Sequence, residues 1–232
     1  MRTLIAVASV AALVAACGDN PPPSTGDSPA APAPAENPAA APAPIPERAN
    51  QPEAPGWRGT ASAPDPANLG GLDEAWRLAR AEAEDKGFAS QVEALGPLVD
   101  PNAGQAGRLQ PSPGTYRCRT VKLGAKAEGG LAYVAYPFFR CTVELTPGGD
   151  LVLTKTTGSQ RTRGLLYPDT DRRLVFIGAQ AWGADETGFP AYGAQSERDQ
   201  VGVFERIGPE RWRMVVPWPR VESKLEILEL AR

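Results

Sequence analysis

Fourteen of the 25 prolines fall between Gly18 and Asn68. So dense a run suits neither a helix interior nor a central strand, because each ring fixes φ and removes a backbone donor. Between the prolines stand mostly Ala, Ser, Glu, Asn and Gly, with almost no large apolar side chains. Such a segment buries too little apolar surface to offset the entropy of ordering it. Residues 17–68 therefore read as a disordered tether. Alternating Ala-Pro favours polyproline II, rising about 3.1 Å per residue, so the tether reaches on the order of 100 Å if stiff. A Pro-rich recognition motif is the other reading of the same composition.

Ahead of the tether, Met1-Arg2-Thr3 carries positive charge, Leu4 to Ala16 is almost wholly apolar, and Val14-Ala15-Ala16 leads into Cys17. That order is a secretory signal. A cysteine directly after small residues makes it the pattern of a bacterial lipoprotein signal, with residues 1–16 removed and the Cys17 thiol acylated. A membrane-spanning helix would need roughly twenty apolar residues, and no later stretch is long and apolar enough. An ordinary signal peptide, with Cys17 a bystander, is the competing reading. Gly18 in the second mature position, rather than Asp, points to the outer membrane facing the periplasm, by analogy with enteric lipoproteins. The expectation is a lipid-anchored protein of the cell envelope.

Roughly 165 residues remain from Leu69 to Arg232, enough for one domain with a real core. The net charge of -3 is modest and the basic residues are scattered, so nucleic acid is not an expected partner. With Cys17 lipidated, Cys118 and Cys141 form the remaining cysteine pair, in a compartment where disulfides persist. A bridge between them is expected, contributing roughly 3 kcal/mol by chain entropy; two separate free thiols are the alternative. Two cysteines without histidine make a poor metal site, and no motif calls for a cofactor.

Within residues 69–113, Leu72, Trp76, Ala79 and Ala83 recur at helical spacing, which predicts a helix from Leu72 to Lys86, stopped by Gly87. A shorter helix is expected over Ser90–Leu95, ended by Gly96-Pro97. Residues 114–232 change to strand grammar. Eight strands are expected, at Thr115–Leu123, Phe138–Leu145, Leu151–Thr157, Arg161–Tyr167, Leu174–Gln180, Gln200–Arg206, Arg211–Val216 and Leu225–Leu230. Tight turn signals separate them, among them Pro147-Gly148-Gly149-Asp150 and Gly208-Pro209-Glu210. The fold class is mainly β (α+β): an antiparallel meander of about eight strands, closed or nearly closed into a small barrel, preceded by two short helices. An open sheet packed under the helices is the alternative.

The chain contains no histidine, which excludes Ser-His-Asp and Cys-His catalysis and most catalytic zinc designs. Two carboxylate pairs stand close in sequence, Asp169 with Asp171 and Glu197 with Asp199. The first lies in a Pro-Asp-Thr-Asp turn, where Asp caps local amides. Lys155-Thr156-Thr157-Gly158 echoes a penicillin-recognising motif, but its partner motifs are missing. The same hairpin is a candidate binding site in its own right. Lys155 continues the strand face of Leu151 and Leu153, so it is placed to point into the barrel near one rim, with Ser159 and Arg161 just across the turn. A cation and hydrogen-bond donors at a barrel mouth can hold an anionic headgroup or a carboxylate. Alternatively, Lys155 snorkels to solvent from an ordinary hairpin. Trp212, Trp218 and Tyr167, with the Pro217-Trp218-Pro219 bend, read as residues closing a barrel end, with sugar binding as the alternative.

Six stretches carry a resemblance to a known family: Pro113-Gly114-Thr115-Tyr116-Arg117-Cys118-Arg119, Lys122-Leu123-Gly124, Tyr136-Pro137-Phe138-Phe139-Arg140-Cys141, Thr157-Gly158-Ser159-Gln160-Arg161, Leu166-Tyr167-Pro168-Asp169 and Leu174-Val175-Phe176-Ile177-Gly178. With them the chain resembles, from Pro113 to Leu230 and with a helical lead-in from about Leu69, the uncharacterised family called domain of unknown function 4893. The resemblance implies an exported alphaproteobacterial protein and brings no activity or site residue. The expected role is non-enzymatic: a binding or interaction module for a small amphiphile or an envelope partner. Inhibition of a secreted protease and a carboxylate-based envelope hydrolase are the alternatives.

Overall fold

A computed structural model describes the chain from Gly56 to Arg232. The signal segment, Cys17 and the tether up to residue 55 lie outside the described residues. Four short α-helices lead in: α1 (Trp57–Thr60), α2 (Pro64–Gly70), α3 (Leu72–Ala83) and α4 (Ala89–Glu93). Nine strands follow: β1 (Gly114–Ala125), β2 (Tyr133–Ala135), β3 (Phe139–Leu145), β4 (Leu151–Lys155), β5 (Arg161–Pro168), β6 (Leu174–Ala181), β7 (Asp199–Gly208), β8 (Arg211–Pro217) and β9 (Ser223–Ala231).

All pairings are antiparallel, in the order β2-β1-β3-β4-β5-β6-β7-β8-β9, and β9 returns to pair with β1 from Arg117↔Ala231 to Ala125↔Ser223. Eight strands thus close into a barrel, leaving β2 as an extra strand on β1. The long β1 makes this possible. Its first half pairs with β3 from Gly114 to Cys118, its second half pairs with β2 from Val121 to Leu123, and β9 runs along its other edge. Closure removes the unpaired edges that a meander would otherwise expose.

One end of the lumen is a packed apolar core. Tyr116, Leu153, Phe176, Phe204, Met214, Leu228 and Leu230 fill it, and the disulfide between Cys118 and Cys141 ties β1 to β3 inside it. Trp212 closes this end, donating its indole N–H to the Leu109 carbonyl at 2.8 Å and meeting Tyr116 edge to face. The opposite side-chain parity faces outward and is covered by the lead-in helices. Ala75, Trp76, Ala79 and Ala83 of α3 pack on Val121, Leu123, Leu225 and Ile227.

The lead-in departs from the sequence expectation in two places. Residues 57–68, read as tether, belong to the folded body: Trp57 is 5% exposed, packs with Val175, Ile177, Val201 and Val203, and donates to Asp169 at 2.7 Å. Proline density hid this, yet Pro64 sits in the first turn of α2, where the missing N–H costs nothing. The helix predicted to Lys86 ends as α-helix at Ala83 and continues as a π-turn over Glu84–Phe88, broken at Gly87 with φ of 91°. Strand β2 was not expected, being only three residues without alternation.

Candidate functional site

The other end of the lumen is polar. Register places Thr162 opposite Gln180 and, one layer deeper, Gly164 opposite Gly178. A methyl group on either glycine would meet the Phe176 ring at 2.6–2.7 Å. The missing side chains therefore let that ring lie across the barrel as a floor. Above it opens a cavity of about 150 Å³, lined by Thr120, Lys155, Ser159, Gln160, Thr162, Gln180 and Glu226, with Tyr136, Phe139 and Leu228 as apolar walls.

Lys155 points into this cup. It ends β4 on the same face as Leu153 and is only 5% exposed, so it does not snorkel. Its ammonium donates to the Gln160 carbonyl at 2.5 Å and lies 4.3 Å from the centre of the Phe139 ring. Gly158, with φ of 91°, turns the hairpin over it: a Cβ there would stand 3.2 Å from Nζ. Among the described residues, no carboxylate lies within ion-pair distance of Lys155. Burial pushes its pKa below the usual lysine value; Glu226 opposes that shift, and Lys122 and Arg161 add to it. The buried Thr162 hydroxyl has no partner among the described residues.

A second lysine is handled differently. Lys122 of β1 faces Glu226 of β9 directly across the seam, at 3.7 Å, and also binds Glu222 and the Gln160 side-chain oxygen, the latter at 2.8 Å. Burial disfavours its ammonium, but Glu226 and Glu222 outweigh burial and hold the pKa above the ordinary value. Burial acts most strongly on Glu226 and raises its pKa, against the pull of Lys122 and a hydrogen bond from Gln200. Glu222 moves the other way, lowered chiefly by its hydrogen bond from Lys122. Lys155 thus lines the cup without a carboxylate at ion-pair distance, Lys122 stands beside the cup with two, and burial leaves Glu226 less readily ionised than an exposed glutamate.

Outside the cup, Tyr136 also lines a neighbouring groove of about 530 Å³, with Ala127, Leu131, Val134 and Val221 as its apolar surface. Gln160 of the cup is hydrogen-bonded to Lys122 and Glu222 of the groove.

Of the residues singled out from sequence, Lys155 and Ser159 meet in the cup and Arg161 does not. On β5 the even-numbered side chains face the lumen, so Arg161 turns outward and donates to the carbonyls of Gly183 and Glu186. Asp169 is a structural anchor that accepts from Trp57 and Arg173, while Asp171 is exposed. Asp199 accepts from the Gly193 amide, and Glu197 is exposed. Neither acidic pair lines the cup. Trp212 closes the apolar end as expected, whereas Trp218 and Tyr167 pack outside the barrel. Sequence reading missed Lys122, Gln180 and Glu226. Parity with Tyr116 and Cys118 was the available signal for Lys122; Glu226 alternates with Leu225 and Ile227 and so reads as a solvent-facing residue.

Comparison with known proteins adds a family without an activity. The model of the domain of unknown function (DUF4893) matches residues 57–230, which is the folded body including α1 and α2. No curated protein and no solved structure matches the chain.

Proposed function

We propose, for a chain that belongs to the family described as domain of unknown function (DUF4893), a lipid-anchored periplasmic role in which the barrel cup binds a small ligand by an anionic group. The anchoring part rests on the sequence: the apolar run before Cys17, the small residues at its end, and the Pro/Ala-rich segment behind it. Gly18 supports the outer membrane as the site. On this reading the tether lets the barrel work away from the bilayer, and the role is binding without turnover.

The observation that carries the ligand reading is Lys155. Burying an ammonium group without a counter-charge costs several kcal/mol, and here it lines a cavity rather than a packed core. An incoming carboxylate or phosphate supplies the missing partner. The Thr162 and Ser159 hydroxyls, which line the cup beside Lys155, are placed to donate to its oxygens.

Native mass spectrometry of the protein purified from its own envelope tests this reading. The expected spectrum shows acylated Cys17, the intact disulfide and a co-purifying small anion, and Lys155→Met abolishes that adduct. An empty barrel that also fails to bind added carboxylates or phosphate would reject the ligand reading. A Cys17→Ser chain that stays in the membrane fraction would reject the anchoring.

A further inference from the structure

Three mutually bonded side chains link the lining of the cup to that of the neighbouring groove. Lys122 donates to Gln160 at 2.8 Å and to Glu222, and Gln160 donates its amide to Glu222 at 3.0 Å. These residues come from β1, the β4–β5 turn and the β8–β9 loop. Gln160 lines the cup, Lys122 and Glu222 line the groove, and Tyr136 lines both. We infer that cup and groove form one head-and-tail site for a single-chain anionic amphiphile, joined when the Lys122–Gln160–Glu222 bridge opens. The inference rests on the anion reading of the cup and extends it to the rest of the ligand.

Size and chemistry both point this way. A cavity of about 150 Å³ accommodates a headgroup or a benzene-sized molecule, whereas small-molecule sites span roughly 300–1,000 Å³. The groove supplies the missing volume with the opposite chemistry. Leu131 is 72% exposed at its lip, and Val134, Ala127 and Val221 continue the apolar surface inward. An apolar strip that begins where a cation-lined cup ends matches a molecule with an anionic end and an alkyl chain. Covering Leu131 with that chain also removes an exposed apolar surface from water.

The bridge is built to open on one side. Glu222 has φ of 71°, a left-handed conformation unfavourable for a non-glycine residue, and Trp218 in the same loop has φ of 51°. The Glu222 side chain is about half exposed, so its ion pair with Lys122 is partly screened by water. Swinging Glu222 into solvent removes two of the three bonds of the bridge, and parting Lys122 from Gln160 completes the opening. Lys122 keeps Glu226 as its counter-charge, and Gln160 remains on the hairpin that holds Lys155.

Calorimetric titration of the full chain carrying Cys17→Ser, which leaves no lipid of its own, separates this inference from the one beneath it. The probes are acetate, hexanoate and decanoate, with decanol as the uncharged control. Affinity is expected to rise by up to about fourfold per methylene, the equivalent of ~0.8 kcal/mol, and decanol is expected to bind at least tenfold more weakly than decanoate. Leu131→Ser lies on the surface and should leave folding intact; it should flatten the chain-length dependence without altering acetate binding. Glu222→Ala removes a negative charge beside the cup and the bridge together, so it should strengthen decanoate binding more than acetate binding. If acetate binds in a Lys155-dependent way but chain length and Leu131→Ser have no effect, the head-and-tail site is wrong and the anion cup stands. If no carboxylate binds at any length, or decanol matches decanoate, both are wrong.

Discussion

Lys122 and Glu226 face each other across the β1–β9 seam at 3.7 Å, so the strand pair that closes the barrel also sets the charge of its lumen. Closing the barrel buries Glu226 and leaves it less readily ionised than in the unfolded chain. That coupling is measurable.

Because the pKa of Glu226 is raised in the folded state, the native protein holds more protons than the unfolded chain just above the ordinary glutamate value. Stability contributed by this group is therefore complete below about pH 4.5 and falls as pH rises toward the native pKa, with a slope of at most about 1.4 kcal/mol per pH unit. Glu222 is lowered, so its contribution is lost only in more acidic solution. Lys155, also lowered, affects the alkaline range, where stability rises with pH toward the ordinary lysine value. Urea unfolding of Glu226→Gln between pH 5 and 8 should show a flatter pH dependence than the parent; identical slopes would mean that Glu226 is ionised in the native state.

Lys155→Met should raise stability by about 1 kcal/mol or more, because a buried cation without a counter-charge is replaced by a side chain of similar volume that suits the Phe139 ring. Urea unfolding at neutral pH checks the sign. A loss of stability would show that the bond to the Gln160 carbonyl holds the hairpin together.

Trp57→Ala should cost about 3–5 kcal/mol, as truncation of a buried aromatic does, and should also remove one donor from the Asp169 carboxylate, leaving Arg173 to hold it. Chains beginning at Gly56 and at Leu69, compared by thermal unfolding, should differ by a similar amount. Equal stability would return residues 57–68 to the tether.

The main-chain architecture was legible in the sequence because apolar parity and turn residues mark β3 through β9 to within two residues at each end. The site was only half legible. Lys155 follows Leu151 and Leu153 on a strand whose lumenal face is otherwise apolar, so its inward direction could be read. Glu226 lies on a strand whose outer face is also apolar: Leu225 and Ile227 pack beneath α3. In such a strand an inward polar residue looks like an exposed one. Arg161 misled for the complementary reason, since being next to a lumenal residue along a strand means facing away from the lumen.

Arg213→Ala should be among the most damaging single changes, at about 3–5 kcal/mol. Its guanidinium is fully buried on the outside of β8, pairs with Glu205 at 2.7 Å, and donates to the carbonyls of Pro97, Leu98, Asp100 and Pro101. It organises the segment between α4 and β1. Combining Arg213→Met with Glu205→Leu should recover only part of the loss, because the four carbonyls still lack a donor. Chemical denaturation of the two variants distinguishes the charge from the scaffold.

The seam between β1 and β9 also dictates when the molecule can become itself. β9 completes the ring, so a molecule in which β9 is unpaired is an open sheet with bare edges on β1 and β8. Ring closure joins segments about a hundred residues apart, the kind of distant pairing that makes β-rich chains slow to fold. Any step that holds back β9 holds back closure of the whole barrel.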